Sequence, residues 1–239
     1  MEFSKREIII ESWQTLKSHL GLWILIMLFI FAFNIATSVV QERLLDDITA
    51  QTVIFIIAAY LFQAGISLGM LKIALNIYNN IEPGFKQIFS SFHLLLTYVM
   101  ATIIFLSLLI LAALPGIILL VISVSNDFDS ISSPQALNNL SLLIPIVLIV
   151  IPIVYSSIRM QFYDYFVVDG EYGAIDSIKR SIVSTKGLVG RLFILSAILS
   201  TIILVSMIPL MMGLLISIPL ATIVNTHLYL KLKKLAQYE

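Results

Sequence analysis

The chain has 239 residues, of which 59% are hydrophobic and 12% charged, and its mean hydropathy is +1.03; soluble domains carry roughly 45–50% apolar and about 25% charged residues. A water-soluble fold of this size could not hide that much apolar surface, so the composition predicts one all-α membrane domain spanning residues 1–239. The 14 basic residues balance 14 acidic ones, which argues against a nucleic-acid surface, and the absence of cysteine excludes disulfides and thiolate metal sites.

At the N-terminus, Ser4 and Glu7 form the S-x-x-E pattern of a capping box. Ile9, Trp13, Leu16 and Leu20 follow at helical spacing opposite Glu7, Glu11, Gln14 and Lys17, the pattern of a helix lying in the headgroup plane. Gly21 is expected to break or bend it. Residues 22–40 are long enough to cross ~30 Å of hydrocarbon. They are too long for the h-region of a secretory signal, the rival reading.

After a polar turn, the second span covers 50–76 and carries a Gly65/Gly69 GxxxG pair, expected to let another helix approach closely. Pro83 opens a new element in which Phe85, Ile88, Phe89 and Phe92 recur at helical spacing, predicting a second amphipathic helix. The third span, 94–124, contains Pro115 and Gly116, a candidate hinge. The fourth, 137–166, contains Pro145 and Pro152.

The passage from Arg159 to Gly187 is the longest polar-rich stretch between apolar runs, and its charges require water or headgroups. Within it, Ala174, Ile175, Ile178 and Ile182 face away from Asp176, Lys179, Arg180 and Ser181, predicting a third amphipathic helix. The uncharged run from Leu192 to Leu230 is about twice the hydrocarbon thickness at ~1.5 Å per residue. Pro209 and Gly213 are the expected reversal, giving spans at 190–208 and 212–230.

With six spans and a cytoplasmic N-terminus, Lys5, Arg6, Lys17, Lys72, Lys86, Arg159, Lys179, Arg180, Lys186, Arg191, Lys231, Lys233 and Lys234 all fall inside and only Arg43 outside. The positive-inside rule therefore places both termini in the cytoplasm. The pattern of an amphipathic segment, a span out, a turn and a span back recurs over Ser4–Asn76, Pro83–Phe166 and Gly173–Leu230. Copies with an even number of spans share one orientation, so a pseudo-threefold axis would lie along the membrane normal.

The passages GFKQIFSSFHLLLTYVMATIIFLSLLILAALPGIILL, YDYFVVDGEYGAIDSIKRSIVSTKG and LLISIPLATIVNTHLYLKL resemble bacterial six-span membrane proteins of uncharacterised function. That pattern is similar to the membrane domain attached to some glycerophosphodiester phosphodiesterases. Its most specific elements are the Pro-Gly at residue 115 and V-V-D-G…A-I-x-S…S…T-K-G. The resemblance implies a multi-pass helical protein of the bacterial cytoplasmic membrane, and it supplies no catalytic residues.

Three functional classes follow. A metal-dependent membrane enzyme would draw on His19, His93, His227 and Asp164, but no HExxH or paired i, i+4 histidines support it. No cofactor is expected. A transporter or permease component for a small or amphipathic solute would use polar groups such as Asn34, Gln63, Ser67, Thr102, Ser107 and Ser156, with no formal charge expected in mid-membrane. The favoured reading is a non-enzymatic membrane adaptor or lipid-organising protein. Its partners would be anionic lipids of the bilayer and another membrane protein, with Lys17, Lys86, Lys179, Arg180 and Lys186 forming a basic collar for headgroups.

Overall fold

The structure, a computed structural model, describes residues 5–44, 49–126, 140–208 and 212–236. It is helical among the described residues: α1 (Lys5–Ser18), α2 (Leu20–Leu44), α3 (Ala50–Tyr78), α4 (Leu95–Asn126), α5 (Leu140–Met160), α6 (Tyr163–Gly170), α7 (Ala174–Ser184), α8 (Val189–Ser206) and α9 (Leu214–Ala236). Six stretches, Leu20–Glu42, Ala50–Tyr78, Phe85–Ser125, Leu142–Gly170, Val189–Ser206 and Leu214–Lys234, are long and apolar enough to cross a membrane. Large apolar side chains on α2, α4 and α5, among them Phe31, Ile110, Val121 and Ile151, are exposed. Such a surface suits lipid as solvent, because lipid tails are as apolar as the side chains that face them.

Several expectations need correction. The first break falls at His19, where Nδ1 contacts the Thr15 carbonyl, and Gly21 lies inside α2. Residues 85–94 form two 3₁₀ segments, Phe85–Phe89 and Phe92–Leu94, in place of an amphipathic α-helix. The reason lies across the interface in α3. A Cβ on Gly69 would stand 1.9 Å from the Ile88 carbonyl oxygen, and one on Gly65 would stand 2.6 Å from the Phe92 ring. The GxxxG pair therefore does admit a close neighbour, but the neighbour is this 3₁₀ passage. The 3₁₀ turn also seats Gln87, whose side-chain carbonyl accepts from the Asn76 amide at 3.0 Å.

The fourth span does not run unbroken through Phe166. It stops at Met160 and restarts as α6 at Tyr163. Buried hydroxyls on α7 satisfy the backbone groups freed at this break: Ser181 Oγ accepts from the Phe162 amide and donates to the Arg159 carbonyl, both at 3.1 Å. Thr185 donates to the same carbonyl at 3.0 Å. The helices α4 and α5 run through Pro115, Pro145 and Pro152. Gly116 sits where a Cβ would come within 2.7 Å of the Ile149 backbone nitrogen, so its role is close packing of α4 on α5.

Pro209 lies outside the described residues, as do Ser4 and residues 45–48 and 127–139. The flanks of the expected reversal at 209–213 are described. Gly213 abuts Ser206, whose carbonyl oxygen would be 2.5 Å from a Cβ there, and α8 packs on α9.

The amphipathic pieces dock in a cyclic order. The 3₁₀ passage packs on α3, α7 packs on α4, α5 and α6, and α1 packs on α9. Each piece thus leans on the returning span of the preceding third, and the first third leans on the last.

Candidate functional site

The chain rises through α6, and this helix is a core element rather than a solvated polar passage. Its apolar side chains Tyr163, Tyr165, Phe166, Val167 and Val168 are all buried. Tyr229 of α9 stacks on Tyr165 with ring centroids 5.2 Å apart and meets Phe166 edge-on at 5.0 Å. Asp169 in the last turn of α6 accepts from Tyr229 Oη at 2.8 Å and pairs with Lys233. That carboxylate is largely buried, so the two partners offset its desolvation.

After Gly170 the backbone turns through a left-handed Glu171, φ +50°, and Tyr172 folds back over Gly170. A Cβ on Gly170 would be 2.1 Å from the Tyr172 ring, so only glycine leaves room for that fold. The Tyr172 carbonyl accepts from Ser177 Oγ at 3.2 Å, and the Arg180 guanidinium lies 3.9 Å from the centre of its ring. A cation at that position is attracted by the ring's quadrupole.

Ser177, Ile178, Ser181 and Thr185 face inward, and Asp176, Lys179, Arg180 and Val183 face out. The result is a pocket of about 460 Å³ lined by Phe166, Tyr172, Asp176, Lys179, Arg180, Val183, Ser184 and Lys233. Lys233 is engaged by Asp169. Lys179 and Arg180 therefore present two positive charges against the one carboxylate of Asp176, beside an apolar wall of Phe166 and Val183. An anionic group with an attached apolar portion matches this arrangement.

Of the five expected collar bases, this pocket brings together Lys179 and Arg180. Lys17 extends over the Trp13 ring at 5.4 Å, and Lys17, Lys86 and Lys186 are exposed but outside the pocket lining. Lys233 and Tyr172 complete the lining, and Asp169 holds Lys233; the sequence marks Asp169 within V-V-D-G and Lys233 among the inner bases, but does not bring either to this site. The signal available was Asp169-Gly170 directly after the apolar run Phe166-Val167-Val168.

The histidines do not converge. His19 keeps to Thr15 and Ser18. The Nε2 of His93 lies 3.7 Å from Glu171. His227 lies 3.4 Å from Glu11 and against the Tyr78 ring. Asp164 joins none of them and lines a separate cavity with Ser67, Tyr98 and Thr222. Among the described residues, no three His, Asp or Glu side chains are grouped to hold a metal ion.

No protein-family model, curated protein or solved structure matches this chain. The likeness to the phosphodiesterase-associated membrane domain rests on the quoted motifs alone. Those motifs now have local roles: Asp169 anchors α6 to α9, Gly170 admits Tyr172, and Ser177, Ser181 and Thr185 dock α7.

Proposed function

We propose that the chain is a non-enzymatic integral membrane protein that holds the phosphate of an anionic phospholipid in the α7 pocket and so organises lipid, or a membrane partner, at the inner face of a bacterial cytoplasmic membrane. The observation that carries this reading is the pairing of Lys179 and Arg180 with the apolar wall of Phe166 and Val183. Exposed Ile175 and Val183 flank Lys179 at four-residue spacing on α7, a stripe suited to lying among headgroups with its apolar members in the acyl boundary. Each base near an anionic surface contributes about 1 kcal/mol.

Solute permeation is less well supported. The cavity beside Ser67 measures about 180 Å³, below the ~300–1,000 Å³ typical of sites for drug-sized ligands.

The test is lipid retention. Purified protein exchanged into nanodiscs of phosphatidylcholine with a minor fraction of phosphatidylglycerol is expected to enrich phosphatidylglycerol, measured by mass spectrometry of co-purified lipid. The Lys179→Gln/Arg180→Gln variant should lose that enrichment by about thirtyfold, from ~2 kcal/mol at 1.4 kcal/mol per decade. Competition by millimolar inorganic phosphate would identify a free-anion site instead. Unchanged enrichment in the double variant would overturn the proposal.

A further inference from the structure

The sequence places Asp164 among interface carboxylates and leaves the membrane interior without a formal charge, yet Asp164, half-buried, lines a partly open cavity where α3, α4, α6 and α9 meet. Thr222, on the same cavity wall, is eleven residues from Lys233 along α9, roughly 16 Å at 1.5 Å per residue. Ionisable groups inside a membrane bundle are costly and mark functional sites by default.

The lining carries one negative formal charge and no positive one. Ser67 Oγ donates its proton to the Gln63 carbonyl at 3.1 Å, and Thr222 Oγ1 donates to the Ile218 carbonyl at 3.1 Å. With those protons committed to helix backbone, the two hydroxyls offer only lone pairs to the cavity. Tyr98, whose ring stacks on Tyr163 with centroids 6.0 Å apart, adds an aromatic wall. Asp164 Oδ1 accepts from the Tyr165 amide at 2.9 Å, and among the described residues the ion pairs join other groups, not Asp164. The cavity thus combines one carboxylate, two hydroxyl acceptors and an aromatic wall, with no lysine, arginine or histidine among its lining residues. An anion would meet the carboxylate with no cation beside it to offset the repulsion.

We propose that this cavity is a binding site for a small monovalent cation, an alkali ion or a small primary ammonium, with Asp164 supplying the countercharge and Ser67 and Thr222 supplying neutral ligands. A divalent ion fits poorly, because calcium takes 6–8 oxygens and magnesium demands an octahedral set, both usually with more than one carboxylate. The volume of about 180 Å³ exceeds the ~30 Å³ share of one water several times over, so the cation keeps part of its hydration or carries a short alkyl group. The inference stands apart from the lipid reading and shares no residue with the α7 pocket.

The test is cation-dependent thermal unfolding of the purified full-length protein in detergent. Sodium, potassium or methylammonium chloride replaces N-methylglucamine chloride at constant ionic strength. A saturable rise in Tm is expected with at least one of the three, and the order among them separates an alkali site from an ammonium site. Asp164→Asn should abolish the rise, whereas Glu82→Gln, an exposed carboxylate elsewhere, should keep it. Should Asp164→Asn fail to fold, Thr222→Val decides, since it keeps the shape of the wall and removes a ligand. It should raise the half-saturating concentration about fivefold. No saturable rise in the unaltered protein, an equal rise in Asp164→Asn, or an unchanged midpoint in Thr222→Val would each overturn the proposal.

Discussion

Replacing Gly69 by alanine perturbs the fold at its tightest described approach. The added methyl would lie 1.9 Å from the Ile88 carbonyl oxygen and 2.4 Å from its carbon, whereas carbon and oxygen in favourable contact lie about 3.3–3.6 Å apart. The 3₁₀ passage must therefore retreat by roughly 1.4 Å as a unit, since the obstacle is backbone and no rotamer relieves it. Ile88, which is 0% exposed, would lose packing, and full burial of such a side chain is worth about 1.5–3 kcal/mol. Overpacking itself costs about 1–3 kcal/mol, so a destabilisation of about 3 kcal/mol is expected. For a chain of this length that corresponds to roughly 6–12 °C in Tm, read by thermal unfolding in detergent. Gly65→Ala should cost less, because its obstacle is the Phe92 ring edge, which can rotate. Gly84→Ala, with nothing within 4 Å, should stay within about 0.5 kcal/mol of the parent. If Gly69→Ala were no worse than Gly84→Ala, the proposed seating of the 3₁₀ passage on α3 would be refuted.

Other substitutions probe the remaining joints. Ser181→Ala strands the Phe162 amide at the α5/α6 break and should cost about 1–3 kcal/mol, seen as a lower unfolding midpoint; a neutral result would mean that the break is held by other groups. Asp169→Asn leaves Lys233 without its charge partner and should destabilise by a few kcal/mol; restoring stability by pairing it with Lys233→Met would show that the loss came from the orphaned ammonium. Gly190→Ala, in the first turn of α8 with open space around it, should gain about 0.5–1 kcal/mol. A reporter fused after Glu239 is expected to be cytoplasmic, by the distribution of basic residues, and a periplasmic signal would refute that topology.

The spans were legible because their signal is length and apolarity, both local to the sequence, and their expected centres coincide with the helices found. That helices form at α1 and α7 was equally legible, but their buried faces were not: α1 buries Ile8, Ser12 and Leu16, and α7 buries Ser181 while leaving Ile175 exposed, because small hydroxyl side chains fit the close contacts these helices make. The 3₁₀ passage was not, because Phe85, Ile88, Phe89 and Phe92 suit either helix type and the deciding contact is with Gly69, elsewhere in the chain. The site was half visible. Lys179 and Arg180 stand out on the polar face of α7, but the burial of Asp164 and Asp169 depends on Thr222, Tyr229 and Lys233, about sixty residues downstream. A local window reads YDYFVVDG as an interface passage because it cannot see what covers it.

The cyclic docking order bears on how the protein is made. Since α1 packs chiefly on α9, a helix made early finds its main seat only on one made much later, and until then Ile8 and Leu16, both nearly inaccessible in the folded protein, lack that cover. Nascent chains stalled before Leu214 should therefore leave α1 open to added protease, and insertion of α9 should close that window in a single step.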